Sequence, residues 1–454
     1  MADTPKLKPL AQQTVVITGA TSGIGLATAR MAAARGARVV LAARSGDALE
    51  QLAAEINRGG GRAIAVVCDV GVEADVQAVA DRAVAECGGF DTWVNNAGVG
   101  MYGRVATGDL DAMRHVFETN FWGLVYGSRV AAAHLRPRGG AIVNLGSEVS
   151  ERAVPLQGIY SASKHAIKGF TDALRMELED EGAPVSVSLV KPGQIDTPFT
   201  TNARNELGSE PHHVPPVYAP EVAAKAILFC AATSRREIFA GGGGQAMAML
   251  GRLAPGLMDR VMEAVVIPGT PSGRAPRRGL AQNGLDHATE ALEERGNYEG
   301  HVMGTSLATE AAMHRVLAAA GAVGLGLAFY RTLFSGSHRP ARVGGRRGRS
   351  VESGRSVEKA LHIRLEARRG KERELEALVR GIRAEVEREP GTRPWVGAQL
   401  SRSVYEIFET FPDEAARRAH LAGKGAALLM RRSNAVLARP AQIDRLDVVT
   451  TKRA

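Results

Sequence analysis

A β-branched apolar run that leads directly into a glycine-rich turn restricts the possible folds of this chain more than any other segment. Residues Thr14–Thr18 read TVVIT, and the overlapping TGATSGIG brings Gly19, Gly23 and Gly25 ahead of the helical pattern LATARMAAARG. Glycines at such a turn let the backbone approach a pyrophosphate, and the N-terminus of the following helix offers N–H donors and a positive dipole. The segment therefore predicts a nucleotide-binding turn between a strand and a helix.

Five further apolar runs follow within the first 240 residues, and the stretches between them are long enough for crossover helices. These runs are Arg38–Ala42, Ala63–Val67, Thr92–Val94, Ala141–Leu145 and Val185–Val190. Strands that alternate with helices indicate a parallel sheet with helices on both faces, and uninterrupted apolar runs are typical of strands buried on both sides. We therefore predict an α/β fold, with a Rossmann-like doubly wound parallel sheet in a dinucleotide-binding domain over residues 1–245.

The chain beyond residue 245 divides into three segments of different composition. Residues 246–335 contain a turn-rich stretch and further helical patterns, and we predict a helical extension there. Residues 336–357 are mostly Gly, Arg and Ser without apolar periodicity, which predicts a flexible linker. Residues 358–454 show the element order β-α-β-β-α-β, which predicts a small α+β ferredoxin-like domain.

The predicted extension contains an uncharged run at 316–330, VLAAAGAVGLGLAFY. As a helix this run would be roughly 22 Å long, which is short of the ~20 residues that a membrane span needs. A helix packed on the domain or at a subunit interface is one interpretation, and a weak contact with a membrane surface is the other. Both stay open from the sequence.

Charge and cysteine content limit the other classes of partner. The net charge is +9, but basic and acidic residues are nearly balanced before residue 336, so the excess lies on the linker and the tail. Solvated charge explains this distribution, and we predict no nucleic-acid partner. The three cysteines lack metal-ligand spacing, and the N-terminus has no apolar core of a secretory signal. We therefore expect no metal site and a cytoplasmic protein, with membrane association through 316–330 as the alternative.

The end of the second predicted strand bears on the choice of nucleotide. An acidic side chain at this place would bind the 2′-hydroxyl of NAD, but the chain has Ala43 followed by Arg44. A guanidinium suits a 2′-phosphate through paired, charge-assisted hydrogen bonds. Arg44 therefore favours NADP(H), and the alternative is an exposed arginine at the start of the next helix.

A tyrosine and a lysine stand four residues apart in Tyr160-Ser-Ala-Ser-Lys164. On a helix both side chains lie on one face, and a nearby ammonium lowers the pKa of a phenol by favouring the phenolate. Such a tyrosine is suited to general acid/base chemistry. Ser147 supports this interpretation, because it follows the strand AIVNLG, at the edge of the sheet where active residues gather in open α/β folds.

The set of motifs closely resembles the short-chain dehydrogenase/reductase family over about 240 residues. The matching segments, in the order and spacing of the family, are TGATSGIG (18–25), CDV (68–70), NNAG (95–98), Asn120 in ETNFWG, Ser147, Tyr160, Lys164 and KPGQIDTP (191–198). The resemblance implies hydride transfer between the nicotinamide of NADP(H) and a small-molecule carbonyl or alcohol. It also implies a homo-oligomer, either a dimer or a tetramer.

The resemblance assigns four catalytic residues. Tyr160 would be the general acid/base, Ser147 would orient and polarise the substrate oxygen, and Lys164 would hold the nicotinamide ribose and lower the pKa of Tyr160. Asn120 would support a relay of protons through water. The residues expected to bind the cofactor are Gly19, Thr21, Ser22, Gly23, Ile24, Gly25, Arg44, Asp69, Val70, Asn96, Ala97, Gly98, Tyr160, Lys164, Pro192, Gly193, Ile195 and Thr197.

The resemblance also places the substrate under the segment that follows the PG motif, here about Phe199–Val217. Nothing in that segment identifies a substrate. Its adjacent His212 and His213 are interpreted as an exposed loop and not as metal ligands.

The tail resembles the antibiotic-biosynthesis monooxygenase-like family in its element order and in VYEIFETFPDEAARRAH (404–420). Some relatives oxygenate aromatic substrates without a cofactor, and others degrade haem with an Asn, Trp and His set. LHIRLEA (361–367) offers no Asn, and Phe411 lies where the Trp is expected, so haem breakdown is not predicted. His420 is either a ligand or base or a structural histidine, and Trp395 and Tyr405 are interpreted as core or dimer contacts. The tail is therefore either a cofactor-independent monooxygenase or a dimerisation or binding module.

Overall fold

The computed structural model describes residues 5–314 apart from 281, 290 and 297, and residues 359–447 apart from 388, 390, 391, 393, 394, 400 and 401. The chain divides into two compact units between residues 338 and 339. The uncharged run at 316–330 and the predicted linker at 336–357 lie outside the described residues. No helix in the described ranges is long and apolar enough to cross a membrane.

The first unit contains twelve strands among its described residues, seven of which form one sheet. In chain order the strands are β1 Thr14–Thr18, β2 Arg38–Ala43, β3 Arg62–Val67, β4 Thr92–Asn95, β5 Met101–Tyr102, β6 Gly140–Leu145, β7 Val185–Pro192, β8 Gln194–Ile195, β9 Arg204–Asn205, β10 Val217–Tyr218, β11 Glu237–Ala240 and β12 Val302–Met303. The large sheet has the order β11-β7-β6-β4-β1-β2-β3, and every neighbouring pair in it is parallel.

Helices cover both faces of this sheet. They are α1 Gly23–Ala34, α2 Gly46–Arg58, α3 Glu73–Cys87, α4 Leu110–Phe117, α5 Gly123–Leu135, α6 Gly158–Asp180, α7 Phe199–Asn202, α8 Pro220–Ala232, α9 Gly242–Leu253, α10 Pro255–Val261, α11 Ile267–Gly269 and α12 Leu307–Met313. Within β1, Val15 and Ile17 belong to the apolar cluster on one face and Val16 to the cluster on the other. Alternate side chains of a strand point to opposite faces, so both faces are buried and the predicted doubly wound fold is confirmed.

The strand β11 is an element that the sequence analysis did not predict. It pairs in parallel with β7, from Glu237 beside Leu189 to Ala240 beside Pro192, and forms one edge of the sheet. Its four residues stand between two arginines and a run of four glycines. A run of that length is too short to show a strand period, and only the pairing with β7 defines it.

Within the first unit, the described part of the extension packs back onto the domain that contains the large sheet. Met313 of α12 belongs to one of the two large apolar clusters, and Leu285 lies in a smaller cluster with Met101, Ala112 and Val116. The extension also contributes β12, which pairs with β10. These contacts bring the chain after residue 280 close to the end of the sheet where the strands terminate.

The second unit is a four-stranded antiparallel sheet with helices packed against its apolar core. Its elements are β13 Lys359–Glu366, α13 Glu372–Val386, β14 Trp395–Gln399, β15 Val404–Phe411, α14 Glu414–Leu421, α15 Lys424–Val436 and β16 Gln442–Asp447. The unit is a small α+β unit with an antiparallel sheet, which is compatible with the predicted ferredoxin-like fold. The second helix of the predicted order β-α-β-β-α-β is two helices, because the chain turns at Ala422 and Gly423 before α15 begins.

Candidate active site

One cavity opens at the carboxyl ends of the parallel strands, beside β1 and β4, where the strand order reverses. Ligands of open α/β sheets bind at this point. All sequence-predicted site residues except Asn120 line the cavity. They are Gly19, Thr21, Ser22, Gly23, Ile24, Gly25, Arg44, Asp69, Val70, Asn96, Ala97, Gly98, Ser147, Tyr160, Lys164, Pro192, Gly193, Ile195 and Thr197.

The turn between β1 and α1 has no room for a side chain at Gly25. A Cβ on Gly25 would lie 2.0 Å from the carbonyl oxygen of Gly19 and 2.5 Å from Nδ2 of Asn96. Asn96 Nδ2 donates hydrogen bonds to the carbonyl oxygens of Thr18 (2.9 Å) and Gly19 (3.1 Å), which holds the turn in place. The turn can therefore bring its backbone close to a phosphate group, as the glycine pattern predicts.

The extension forms part of the cavity wall, which the sequence did not indicate. Gly284, Ala288 and Thr289 line the cavity, and the N–H of Gly23 donates to the carbonyl oxygen of Glu293 at 2.8 Å. The folded extension thus lies against the glycine turn and forms the wall on this side of the cavity.

Arg44 lies half-buried at the end of β2, and it contacts the extension. Its guanidinium donates to the carbonyl oxygens of Gly284 (2.5 Å), Leu285 (3.0 Å) and His287 (2.9 Å). The sequence presented two interpretations, a phosphate ligand or an exposed side chain, and neither anticipated these bonds. A guanidinium has five N–H donors, so three bonds to carbonyls leave donors on the same group for a ligand.

The three central catalytic candidates lie close together. Tyr160 and Lys164 stand one turn apart on α6, with Lys164 Nζ 5.7 Å from the centre of the Tyr160 ring and donating to the carbonyl oxygen of Leu145 at 3.0 Å. Ser147 follows β6 and accepts a hydrogen bond from the N–H of Val149 (3.3 Å) at the start of a short helical turn. A hydroxyl, a phenol and an ammonium therefore meet in one buried place.

Burial is the largest influence on the pKa values of Tyr160 and Lys164. It raises the pKa of Tyr160, as does the nearby Glu148 carboxyl, while a hydrogen bond with Ser147 acts in the opposite direction. Burial also lowers the pKa of Lys164, to about 8. The net shift of the Tyr160 pKa is upward, because burial and the Glu148 carboxyl together outweigh the hydrogen bond with Ser147. The lowering of the Tyr160 pKa by Lys164 stays a prediction.

Asn120 lies behind the cavity wall, in the π-helical segment Glu118–Trp122 between α4 and α5. Its Oδ1 accepts from the N–H of Val99 (2.8 Å), and its Nδ2 donates to the carbonyl oxygen of Val99 (3.0 Å) and to Ser163 Oγ (3.2 Å). It thereby joins the loop after β4 to the helix that carries Tyr160. The role in a proton relay stays a prediction.

Glu148, Gln194 and His213 are among the polar residues of the cavity that the sequence analysis did not assign to the site. The expected exposure is found for His212, but His213 is buried, and burial lowers the pKa of His213 to about 4. Burial raises the pKa of Glu148 to about 7. The position of Glu148 directly after Ser147 was a usable signal, whereas the sequence around His213 offers none.

The side of the cavity next to Tyr160 is aromatic. The rings of Tyr160 and Phe199 lie 5.2 Å apart, and Tyr102 is buried in the same wall. A Cβ on Gly100 would lie 2.6 Å from Cζ of Phe199, so the glycine makes room for this ring. This side of the cavity can therefore accept an apolar group.

In the second unit, His420 is buried between two glutamates. Its Nδ1 lies 2.6 Å from Glu389 Oε2, and its Nε2 lies 2.6 Å from Glu409 Oε2. Burial disfavours the charged ring, but the hydrogen bonds and charges of Glu409 and Glu389 outweigh it and raise the pKa of His420. Tyr405 belongs to the core of the unit and Trp395 packs against it. Among the residues that the structure describes, no group of three or more His, Cys, Asp or Glu side chains could hold a metal ion.

Comparison with known proteins gives one family match and several relatives. A family model for short chain dehydrogenases matches residues 13–208, which include Ser147, Tyr160 and Lys164. The chain is 44% identical over 323 residues to the uncharacterized oxidoreductase YxnA of Bacillus subtilis (strain 168), which covers 70% of this chain and 90% of that protein. It is 35% identical over 260 residues to dehydrogenase/reductase SDR family member 7B of Bos taurus, with 55% and 79% covered. A solved short chain dehydrogenase/reductase from Burkholderia phymatum in complex with NAD superposes with a TM-score of 0.49 at 27% identity, over 62% of this chain and 99% of the other.

Proposed function

The chain belongs to the short chain dehydrogenase family of oxidoreductases, and on this basis we propose that it transfers a hydride between NADP(H) and a carbonyl or alcohol substrate. Tyr160 acts as the general acid/base. The observation that carries this proposal is the meeting of Ser147, Tyr160 and Lys164 in the cavity that also contains the glycine turn. The close-packed turn at Gly25 and the helix N-terminus behind it fit the phosphates of a dinucleotide.

The nicotinamide supplies the hydride, and the protein manages the proton and the geometry. The Ser147 hydroxyl hydrogen-bonds the substrate oxygen and orients it toward Tyr160. The phenol of Tyr160 then donates its proton to that oxygen. Because burial raises the pKa of Tyr160, the phenol is protonated near neutral pH, which supports the direction of carbonyl reduction. Lys164, whose pKa is about 8, carries its charge near neutral pH and is the residue we assign to the nicotinamide ribose.

Arg44 supports the choice of NADP(H) over NAD(H). It lines the cavity at the end of β2, and the residues on either side of it, Ala43 and Ser45, are not acidic. A 2′-phosphate would receive charge-assisted hydrogen bonds from the donors that the carbonyls of the extension leave available. Arg44 therefore both anchors the extension and binds the phosphate in this proposal.

Calorimetric titration with NADPH and NADH tests this part of the proposal. We expect the protein to bind NADPH at least about tenfold more tightly than NADH, and we expect Arg44→Leu to lose about tenfold in NADPH affinity, since it removes a charge-assisted contact. The measured quantity is the ratio of the NADPH affinity to the NADH affinity, because a loosened extension would weaken the binding of both nucleotides by the same factor.

Arg30→Leu is the matched control for Arg44→Leu. Arg30 also holds the extension, through a 2.7 Å ion pair with Glu294, but it does not line the cavity. Arg30→Leu should leave the NADPH/NADH ratio unchanged. A preference of the unmodified protein for NADH, or an unchanged NADPH/NADH ratio in Arg44→Leu, would show that Arg44 does not recognise the 2′-phosphate of NADPH.

For the second unit we propose a binding or dimerisation module and not a cofactor-independent monooxygenase. Both ring nitrogens of His420 face carboxylates, and its raised pKa favours the imidazolium, in which both nitrogens are donors. Such a ring has no lone pair for a metal or for proton abstraction. It supports the fold of the unit instead.

Oxygen consumption by the full-length protein tests this assignment. We expect no protein-dependent uptake with a panel of phenols and hydroquinones when nicotinamide nucleotide is omitted. Uptake that disappears in His420→Ala, with the melting temperature retained, would establish a monooxygenase and reject the binding module as the sole role.

A further inference from the structure

Glu148, Gln194 and His213 form a hydrogen-bonded row in the wall of the active-site cavity, and the proposed mechanism does not use them. Gln194 Nε2 donates to Glu148 Oε1 at 2.7 Å, and Gln194 Oε1 lies 2.9 Å from His213 Nδ1. Glu148 and His213 are both more than nine-tenths buried. The row begins one residue after Ser147, and Glu148 lines the same cavity as Tyr160, on which its charge acts.

The packing around Glu148 leaves little room beyond its own side chain. A Cβ on Gly244 would lie 2.7 Å from Glu148 Oε2, and a Cβ on Gly193 would lie 3.2 Å from the same oxygen. Two glycines thus make room for the Glu148 side chain, whose carboxyl group accepts the hydrogen bond from the NH2 group of Gln194. Because the NH2 group of Gln194 faces the carboxyl, its carbonyl oxygen faces His213.

This orientation determines which nitrogen of His213 carries the proton. A carbonyl oxygen only accepts, so His213 Nδ1 is the donor to Gln194 Oε1. The low pKa of His213, about 4, keeps the ring neutral. In the neutral ring the other nitrogen, Nε2, then carries a lone pair and is a hydrogen-bond acceptor.

His213 Nε2 is buried and has no hydrogen-bond partner among the described residues. A buried acceptor without a donor is unfavourable, and native proteins rarely keep one without a reason. The ring of Tyr298 packs edge-on against the imidazole of His213, with 6.0 Å between the ring centres. This contact does not supply a hydrogen-bond donor to Nε2. A bound molecule that enters the cavity could supply the missing donor.

We propose that His213 determines substrate specificity by accepting, at Nε2, a hydrogen bond from a hydroxyl group that the substrate carries apart from its reacting carbonyl. The substrate class is a neutral hydroxy ketone with an apolar body, because Phe199 and Tyr102 form the aromatic part of the same cavity. A lone pair on Nε2 and a carboxyl nearby disfavour an anionic substrate. This inference rests on the proposed carbonyl reductase function and extends it to the choice of substrate.

Kinetics with matched substrate pairs test the inference. Unbranched methyl ketones are compared with their ω-hydroxy analogues over a series of chain lengths, with NADPH and with NADH. We expect the hydroxy ketone to have the higher kcat/KM at the chain length that reaches His213, by about tenfold, as one well-formed buried hydrogen bond allows. In His213→Leu this ratio should fall to about one, and in His213→Gln, which keeps an acceptor, part of the preference should return.

His212→Leu is the matched control, because His212 is the exposed neighbour of His213 and does not line the cavity. It should leave the ratio unchanged. No preference at any chain length, or a preference retained in His213→Leu, would overturn the role of His213 while plain ketones are still reduced. If neither type of ketone is reduced with either nucleotide, the proposed reductase function fails and the inference fails with it.

Discussion

With Tyr160→Phe we expect carbonyl reduction to slow by about a thousandfold while NADPH still binds with nearly the same affinity. The phenol is the only group that the proposed mechanism uses to protonate the substrate oxygen, and general acid catalysis contributes about 10²–10⁴ in rate. The ring itself stays in place against Phe199, whose centre lies 5.2 Å away. Single-turnover rates with NADPH and calorimetric binding of the nucleotide measure the two parts of the prediction.

Tyr102→Phe is the matched control for this experiment. Tyr102 is a second buried tyrosine of the same cavity, and burial raises its pKa as well. It lacks the hydrogen bond with Ser147 that Tyr160 makes. We expect Tyr102→Phe to change the rate by less than about tenfold. Equal effects of the two substitutions would mean that the loss comes from a changed cavity and not from a missing proton donor.

With Glu151→Leu we expect the free energy of unfolding to fall by about 3–5 kcal/mol at neutral pH, the usual cost of removing one partner from a buried ion pair. The Glu151 side chain is 2% exposed and its Oε1 contacts Lys168 (2.5 Å) and Lys191 (2.9 Å). Lys191 is itself 1% exposed, so its ammonium would lose a buried counter-charge. Urea unfolding followed by circular dichroism measures the change.

The dependence on pH supplies a second test of the Glu151 ion pairs. Burial acts to raise the pKa of Glu151, but hydrogen bonds with Lys168 and Lys191 outweigh it and lower the pKa from 4.5 to about 2. A folded-state pKa below the unfolded one stabilises the fold above about pH 4.5, and this contribution is lost as the pH falls toward 2. The difference in stability between the native protein and Glu151→Leu should therefore shrink over that range.

Glu237→Gln is the control for Glu151→Leu. Glu237 Oε2 also contacts Lys191, at 2.9 Å, but the Glu237 side chain is 40% exposed. Exposed ion pairs contribute about 0–1 kcal/mol, so this substitution should have a small effect. A loss as large as that of Glu151→Leu would indicate that burial is not what makes the Glu151 ion pairs strong.

Local patterns in the sequence were sufficient to predict the parallel sheet of the first unit and many of the residues that line the cavity. The strands were recognisable because doubly buried strands require uninterrupted apolar runs. The turn at Gly19–Gly25 was recognisable because only glycine tolerates such close backbone approach. Tyr160 and Lys164 were recognisable as a pair because four residues make about one helical turn. These features depend on neighbours in the chain.

Tertiary structure decided the features that depend on which distant segments pack together. Arg44 bonds to carbonyls about 240 residues away, and β11 exists through its pairing with β7. The burial of His213, and the direction of the Tyr160 pKa, follow from how completely the surrounding chain excludes water. Desolvation is a property of the whole packed environment, so a residue's neighbours in sequence cannot reveal it. For this reason the sequence indicated most of the candidate residues that line the cavity, whereas only the fold determined their burial, their pKa shifts and the remaining wall of the cavity.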